Sequence, residues 1–196
     1  MTEKRLAQQL HFLMEADKLK QVLRRTVLTD GSRRENDAEH SWHFALMAII
    51  LQEYADEPID LNRVLQMAAI HDMVEIYAGD TFAYDVCANQ TKAEREQAAA
   101  ERLFSLLPPD QSAQYRALWA EYDQKQTPDA RFSASIDRLQ PLMHNYMTQG
   151  HTWKLGDVRA RQAYARIELM RTTTPKLWAL CDQILQDSIQ KGYLKP

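Results

Sequence analysis

The chain is 196 residues long, 45% hydrophobic, and carries 24 basic against 27 acidic residues for a formal net charge of -3. Charges of both signs are interspersed, so there is no basic stripe of the kind that grips nucleic acid. No run approaches the roughly 18 uncharged apolar residues of a membrane span. Two distant cysteines, Cys87 and Cys181, and only five Gly argue against a disulfide or thiolate-zinc framework and for one domain over 1–196 with a sizeable core. The opening Met-Thr-Glu-Lys-Arg lacks the apolar stretch of a signal peptide, so a cytoplasmic protein without nucleic-acid or membrane partners is expected.

In chain order, residues 3–24 carry Leu6, Leu10, Leu13, Met14, Leu19, Val22 and Leu23 near a 3.6-residue period, which predicts a helix. Residues 24–36, with four Arg and one Gly, predict a loop. The next helix starts at Asn36 or Asp37, where early acidic residues favour the helix dipole, and stops before Pro58. Asp60 caps a third helix, whose stretch 65–80 runs from apolar residues through His71-Asp72 to a break at Gly79. Residues 80–90 are aromatic and polar without clean periodicity and read as a loop or lid. Helices follow over 92–106, 110–125, from Thr127-Pro128-Asp129 onward, and over about 156–171 and 174–191. No strand-like alternation persists, so the expectation is an all-α fold of about eight helices.

The chemistry centres on 65–80. His and Asp inside so apolar a segment need partners, because an unpaired buried charge is costly, and a divalent metal satisfies an imidazole and a carboxylate together. Glu75, four residues after His71 and three after Asp72, falls along the same side of a helix. Two other segments offer metal-type residues at apolar helix positions, His40 and Asp137. Two imidazoles and two carboxylates suit Mn, Co, Fe, Ni or Zn and leave positions open for water and substrate.

The pattern H…HD…D at these positions resembles the HD-domain metal-dependent phosphohydrolases, whose fold is a helical bundle, and within them the five-prime deoxynucleotidase branch. The resemblance covers at least 20–145, the proposed metal-binding core, and rests on Arg33-Arg34-Glu35-Asn36-Asp37-Ala38-Glu39-His40-Ser41, His71-Asp72-Met73-Val74-Glu75, Ala78-Gly79-Asp80, Leu118-Trp119-Ala120-Glu121-Tyr122 and Ser135-Ile136-Asp137-Arg138-Leu139. It implies that His40, His71, Asp72 and Asp137 hold one divalent transition metal, that Glu75 and Asp80 are the acidic residues at the reacting phosphate, and that Arg25 grips the substrate. It also implies a homodimer acting on five-prime (deoxy)nucleoside monophosphates. On chemistry alone, Arg25 or Arg33 suits a bidentate grip on phosphoryl oxygens. Glu75 suits the water and Asp80 the leaving group, although spacing leaves their division of labour open. A phosphodiesterase, another nucleotide phosphohydrolase, or a silent nucleotide-binding module would use the same core.

Plainer readings compete at several positions. Phe82 and Tyr84, in the expected lid, are the candidates for contact with a nucleobase, whereas Trp42, Phe44, Trp119 and Tyr122 read as core. His43 reads as structural, and His11, His144 and His151 as incidental. Asp137 has Arg138 and Arg131 as ordinary pairing alternatives. The charges of 92–102 read as a solvated face. The apolar residues of 174–191 suit either an interface or closure of the core.

Overall fold

The computed structural model describes residues 3–196. Helix α1 (Glu3–Ala16) passes through a 3-10 turn, Asp17–Gln21, into β1 (Leu23–Val27), which pairs antiparallel with β2 (Arg34–Asn36). Then come α2 (Asp37–Leu51), α3 (Leu61–Ile70) and the single turns α4 (Glu75–Ala78) and α5 (Val86–Asn89). Helices α6 (Lys92–Phe104), α7 (Pro109–Gln124) and α8 (Pro128–Met147) follow. Short α9 (His151–Leu155), α10 (Ala160–Ile167) and α11 (Met170–Thr173) lead to α12 (Pro175–Gln190). Among the described residues, eight helices are eight residues or longer, in line with the all-α expectation.

Local chemistry accounts for the starts of α2, α3 and α8. Asn36 accepts from the Glu39 backbone N–H at 2.9 Å while Glu39 accepts from the Asn36 N–H at 3.1 Å, a reciprocal cap that contributes about 1 kcal/mol. Asp60 caps α3 through the Asn62 N–H, and Thr127 caps α8 through the Ala130 N–H. The Thr174-Pro175 pair opens α12 without a side-chain cap.

Three expected elements outside the His-Asp stretch need correction. The first helix stops at Ala16, and its Leu6, Leu10, Leu13 and Met14 stay exposed, so no core contact extends it. Residues 24–36 form a hairpin: β-branched Thr26 and Val27 suit a strand, and Arg34 closes the pair by donating to the Leu23 and Arg24 carbonyls. The helix expected over 156–171 is broken into α10 and α11, with Asp157 at φ 51° before the first.

Helices α2, α3 and α8 pack on one another, with α7 against α3 and α8, and α12 against α8, α10 and α11. Phe44, Val64, Met67, Ala68, Ile136 and Leu139 fill the centre of this arrangement. Helix α12 turns Leu177, Cys181 and Leu185 inward, so it closes the core, while Leu180 on its outer side is 45% exposed. Trp42, expected in the core, is 67% exposed. Among the described residues, no helix is long and apolar enough to cross a membrane.

Candidate metal centre and its cavity

The His-Asp pair sits where α3 ends. His71 still bonds to Met67 O, but Met73 and Glu75 take carbonyls three residues back, Ile70 and Asp72, so the chain tightens into 3-10 geometry. The expected continuous helix over 65–80 is therefore broken after Ile70. In 3-10 geometry residues i and i+3 eclipse, which places Glu75 in line with Asp72. Gly79, at φ 76°, ends α4 in a conformation that disfavours other residues, and the chain turns back through Asp80.

Helices α2, α3 and α8 bring the four metal-type residues together. His40 Nε2 lies 3.1 Å from Asp137 Oδ1 and 3.7 Å from Asp72 Oδ2. His71 Nε2 lies 3.1 Å from Asp72 Oδ2 and 3.9 Å from Asp137 Oδ1. Burial opposes ionisation of both carboxyls, but His71 and Arg24 hold Asp72, and His40 holds Asp137, below the usual carboxylate range. Asp137 thus pairs with neither Arg138 nor Arg131, the latter being engaged with Glu57.

The outer nitrogens of both rings are committed. His71 Nδ1 faces the Ala68 carbonyl at 3.0 Å, which can only accept. Gln140 Nε2 donates to Glu35 Oε1 at 2.6 Å, which orients the amide so that its Oε1 accepts from His40 Nδ1 at 3.1 Å. Both histidines are left with Nε2 turned into the cluster, and His71 Nε2 is buried without a hydrogen-bond partner. An orphaned imidazole nitrogen among two carboxylates is the donor set a borderline divalent ion takes, so these residues fit such an ion.

Beside this set, Asp37, Glu75 and Asp80 bring carboxylate oxygens within 4.8 Å of one another. Burial first, then the charge of Asp72, pushes Asp37 up to about 7 and Glu75 well above its ordinary value; burial also raises Asp80. The cation facing them is Arg24, which donates to Asp72 Oδ2 at 2.6 Å and Asp37 Oδ1 at 3.2 Å.

A cavity of about 180 Å³ opens over the centre, with Arg24, Glu75, Asp80, Phe82, Tyr84 and Asp137 in its wall. Arg25 also lines it, its guanidinium 5.1 Å from the Phe82 ring centre, and Phe82 meets Tyr84 edge to face. Arg33 does not reach the cavity: on the exposed hairpin it makes a bidentate pair with Glu39, so its assignment to substrate is corrected.

Sequence reasoning passed over several residues here. Arg24 rather than Arg25 faces the carboxylates because four steps of β1, Leu23 to Val27, oppose two of β2, and such a bulge re-aims side chains. Gln140 and Asp37 each stand three positions from a metal-type residue on the same helix face, a spacing that marks them. His144 is buried against Gln140 rather than incidental. The solvated reading of 92–102 fails at two cations. Lys92 lines the cavity, and Arg95 braces the 78–88 segment through the Ala78 carbonyl, Thr81 Oγ1 and the Ala88 carbonyl.

Comparison with known proteins agrees with this geometry. The crystal structure of a "Predicted metal-dependent phosphohydrolase" from Magnetospirillum magnetotacticum MS-1 superposes with a TM-score of 0.95 at 52% identity, covering 99% of this chain and 97% of that one. The 5'-deoxynucleotidase HDDC2 of Bos taurus is 30% identical over 135 residues, 68% of this chain; the chain spans 64% of that relative's length. A 5'-deoxynucleotidase of Pasteurella multocida is 27% identical over 174 residues, 83% of this chain and 85% of the relative. The sequence model of the HD domain matches residues 16–178. The chain belongs to the HD-domain family.

Proposed function

We propose that this protein is a divalent-metal-dependent phosphohydrolase that removes the phosphate from five-prime (deoxy)nucleoside monophosphates. The observation that carries the reading is the convergence of His40, His71, Asp72 and Asp137, with both histidine Nε2 atoms turned inward, beneath a cavity walled by Arg24, Glu75 and Asp80. The names of the relatives from Magnetospirillum, Bos taurus and Pasteurella support it.

A divalent ion held by these four residues would supply Lewis-acid polarisation of the phosphoryl group and acidify water. The rest of the chemistry falls to the chain. Arg24 and Arg25, on the bulged strand, present guanidinium forks for phosphoryl oxygens. Three carboxyls as close as Asp37, Glu75 and Asp80 do not all ionise near neutrality, so the group holds a proton for the leaving alkoxide beside a carboxylate able to take one from water. Glu75, in line with Asp72, serves the water, and Asp80 the leaving oxygen. Phe82 and Tyr84 form the apolar wall for the nucleoside.

The exposed thiol of Cys87 fits a reducing, cytoplasmic compartment. A homodimer would seat on α2, where Trp42, Leu46, Ile49 and Ile50 form an exposed apolar stripe.

The test is phosphate release by metal-stripped protein, with each divalent ion added back, from nucleoside monophosphates, triphosphates and bis-p-nitrophenyl phosphate. Metal-dependent release from monophosphates is expected. Turnover confined to the diester would replace the reading with a phosphodiesterase, and silence with metal bound would replace it with a binding module.

A further inference from the structure

We propose that the cavity takes a phosphate ester carrying a second anionic group, a phosphate or a carboxylate, and that Lys125, Arg138 and Arg166 form the subsite for that group. The inference rests on the phosphohydrolase reading above and goes beyond its nucleoside monophosphates, which carry no second anionic group.

The three cations come from three different elements, the C-terminus of α7, the middle of α8 and α10, and all line the same cavity. They are distinct from the hairpin arginines. Arg24 is matched to Asp72 and Asp37, whereas counter-charge on this wall is sparse. Among the described residues Arg138 makes no ion pair, and its Nε is buried without a hydrogen-bond partner. Lys125 donates to the Asp123 carbonyl at 2.6 Å, with the exposed Asp123 carboxylate at 3.5 Å, its one ion pair among the described residues. Arg166 approaches Asp137 Oδ2 at 3.7 Å, a carboxylate whose other oxygen faces His40. Burial depresses the pKa of Lys125 against the opposing charge of Asp123, and the neighbouring Arg138 and Arg166 charges add to the depression.

The backbone supplies an independent observation. Lys125 ends α7 at φ 55° and ψ 39°, the left-handed conformation that glycine usually fills at this position. A lysine there is strained, and strain retained in a cleft beside the unpartnered Arg138 Nε marks a functional position. An anion between the three side chains removes the repulsion. Two guanidinium forks and one ammonium suit the several oxygens of a phosphate or carboxylate. Of the three cations only Arg166 ion-pairs, among the described residues, with a metal-type carboxylate, Asp137, so Lys125 and Arg138 are the part of the subsite set apart from the metal-type residues.

The experiment compares kcat/KM of the metal-loaded protein for dAMP, deoxyadenosine 3',5'-bisphosphate, dADP and phosphoglycolate. It is repeated for Lys125→Gln, Lys125→Gly and Arg138→Gln; Arg166 is left intact because it stands beside Asp137. At least one doubly anionic substrate should exceed dAMP, and each substitution should cut that ratio about tenfold, the scale of one hydrogen bond to a charged group. Lys125→Gly should do so while raising the Tm, because it relieves the strained backbone, which separates loss of the subsite from loss of the fold. The substrate with the largest ratio identifies the second group. Ratios unchanged by all three substitutions would overturn the subsite. Absence of turnover on every substrate would overturn the phosphohydrolase reading instead. Pyrophosphate binding to the metal-free protein, measured by calorimetry, then decides the subsite: about tenfold weakening in Arg138→Gln sustains it, and equal binding ends it.

Discussion

Gln140 offers the sharpest test of how the centre is held. Its amide joins two elements: Nε2 donates to Glu35 on β2 at 2.6 Å, and Oε1 accepts from His40 on α2 at 3.1 Å. Leucine has a similar volume but neither function, so Gln140→Leu leaves Glu35 Oε1 without this donor and His40 Nδ1 without an acceptor, both buried. At about 1–3 kcal/mol for each group left unsatisfied, the loss is about 2–6 kcal/mol. Typical domains have only about 5–15 kcal/mol of stability. His40 also loses what fixes its tautomer, and changes in such outer partners typically cost about 10–100-fold in metal affinity. Urea unfolding of the metal-free protein measures the first effect, and competitive calorimetry with a chelator measures the second. Glu35→Gln, which keeps an acceptor for the amide, should largely preserve affinity. Unchanged metal affinity in Gln140→Leu, whatever its stability, would refute the orienting role.

Further outcomes follow from the same geometry. Asp72→Ala should abolish metal binding and phosphate release together, so surviving activity in metal-depleted protein would remove the metal from the reaction. Glu75→Gln should retain the metal and lower kcat by about 10²–10⁴-fold, the range for a lost acid–base group; an unchanged kcat would make Glu75 a bystander. Gly156→Ala would place a Cβ 2.5 Å from Phe82 Cε1, displacing the ring, and should raise KM for a nucleotide more than it lowers kcat, which steady-state kinetics will show. The pH dependence of the metal-free protein has a definite sign. Asp37, raised from 3.8 to about 7 by burial and by Asp72, keeps a proton in the folded state that the unfolded chain releases, so its contribution is present at low pH and lost as pH rises through about 7. Asp37→Asn should therefore raise the Tm at pH 8 and change it little at pH 4; the reverse would invert the assigned shift.

What the sequence revealed and what it hid divide along a physical line. His71 and Asp72 stand out because they end the apolar run Met67 to Ile70, and His40 and Asp137 because they complete an H…HD…D pattern with them; Phe44, Met67 and Ile136 are buried. The caps at Asn36, Asp60 and Thr127 are local too, since each is settled within three residues. The misses are contacts set by distant pairing. Arg25 was expected at the substrate and lines the cavity, but Arg24 at the carboxylates was not foreseen, because it is set by a bulge, a property of two strands together that no count back from His40 contains. Gln140 reaches Glu35 across 105 positions, and Lys92 and Arg95 face inward only because α6 packs beside α4. Arg33, an arginine no different in type from Arg24, was lost to Glu39 six residues away. Residue type and period therefore show which chemistry the chain carries. Which of several equivalent arginines serves it is decided by register, and register exists only once the strands have met.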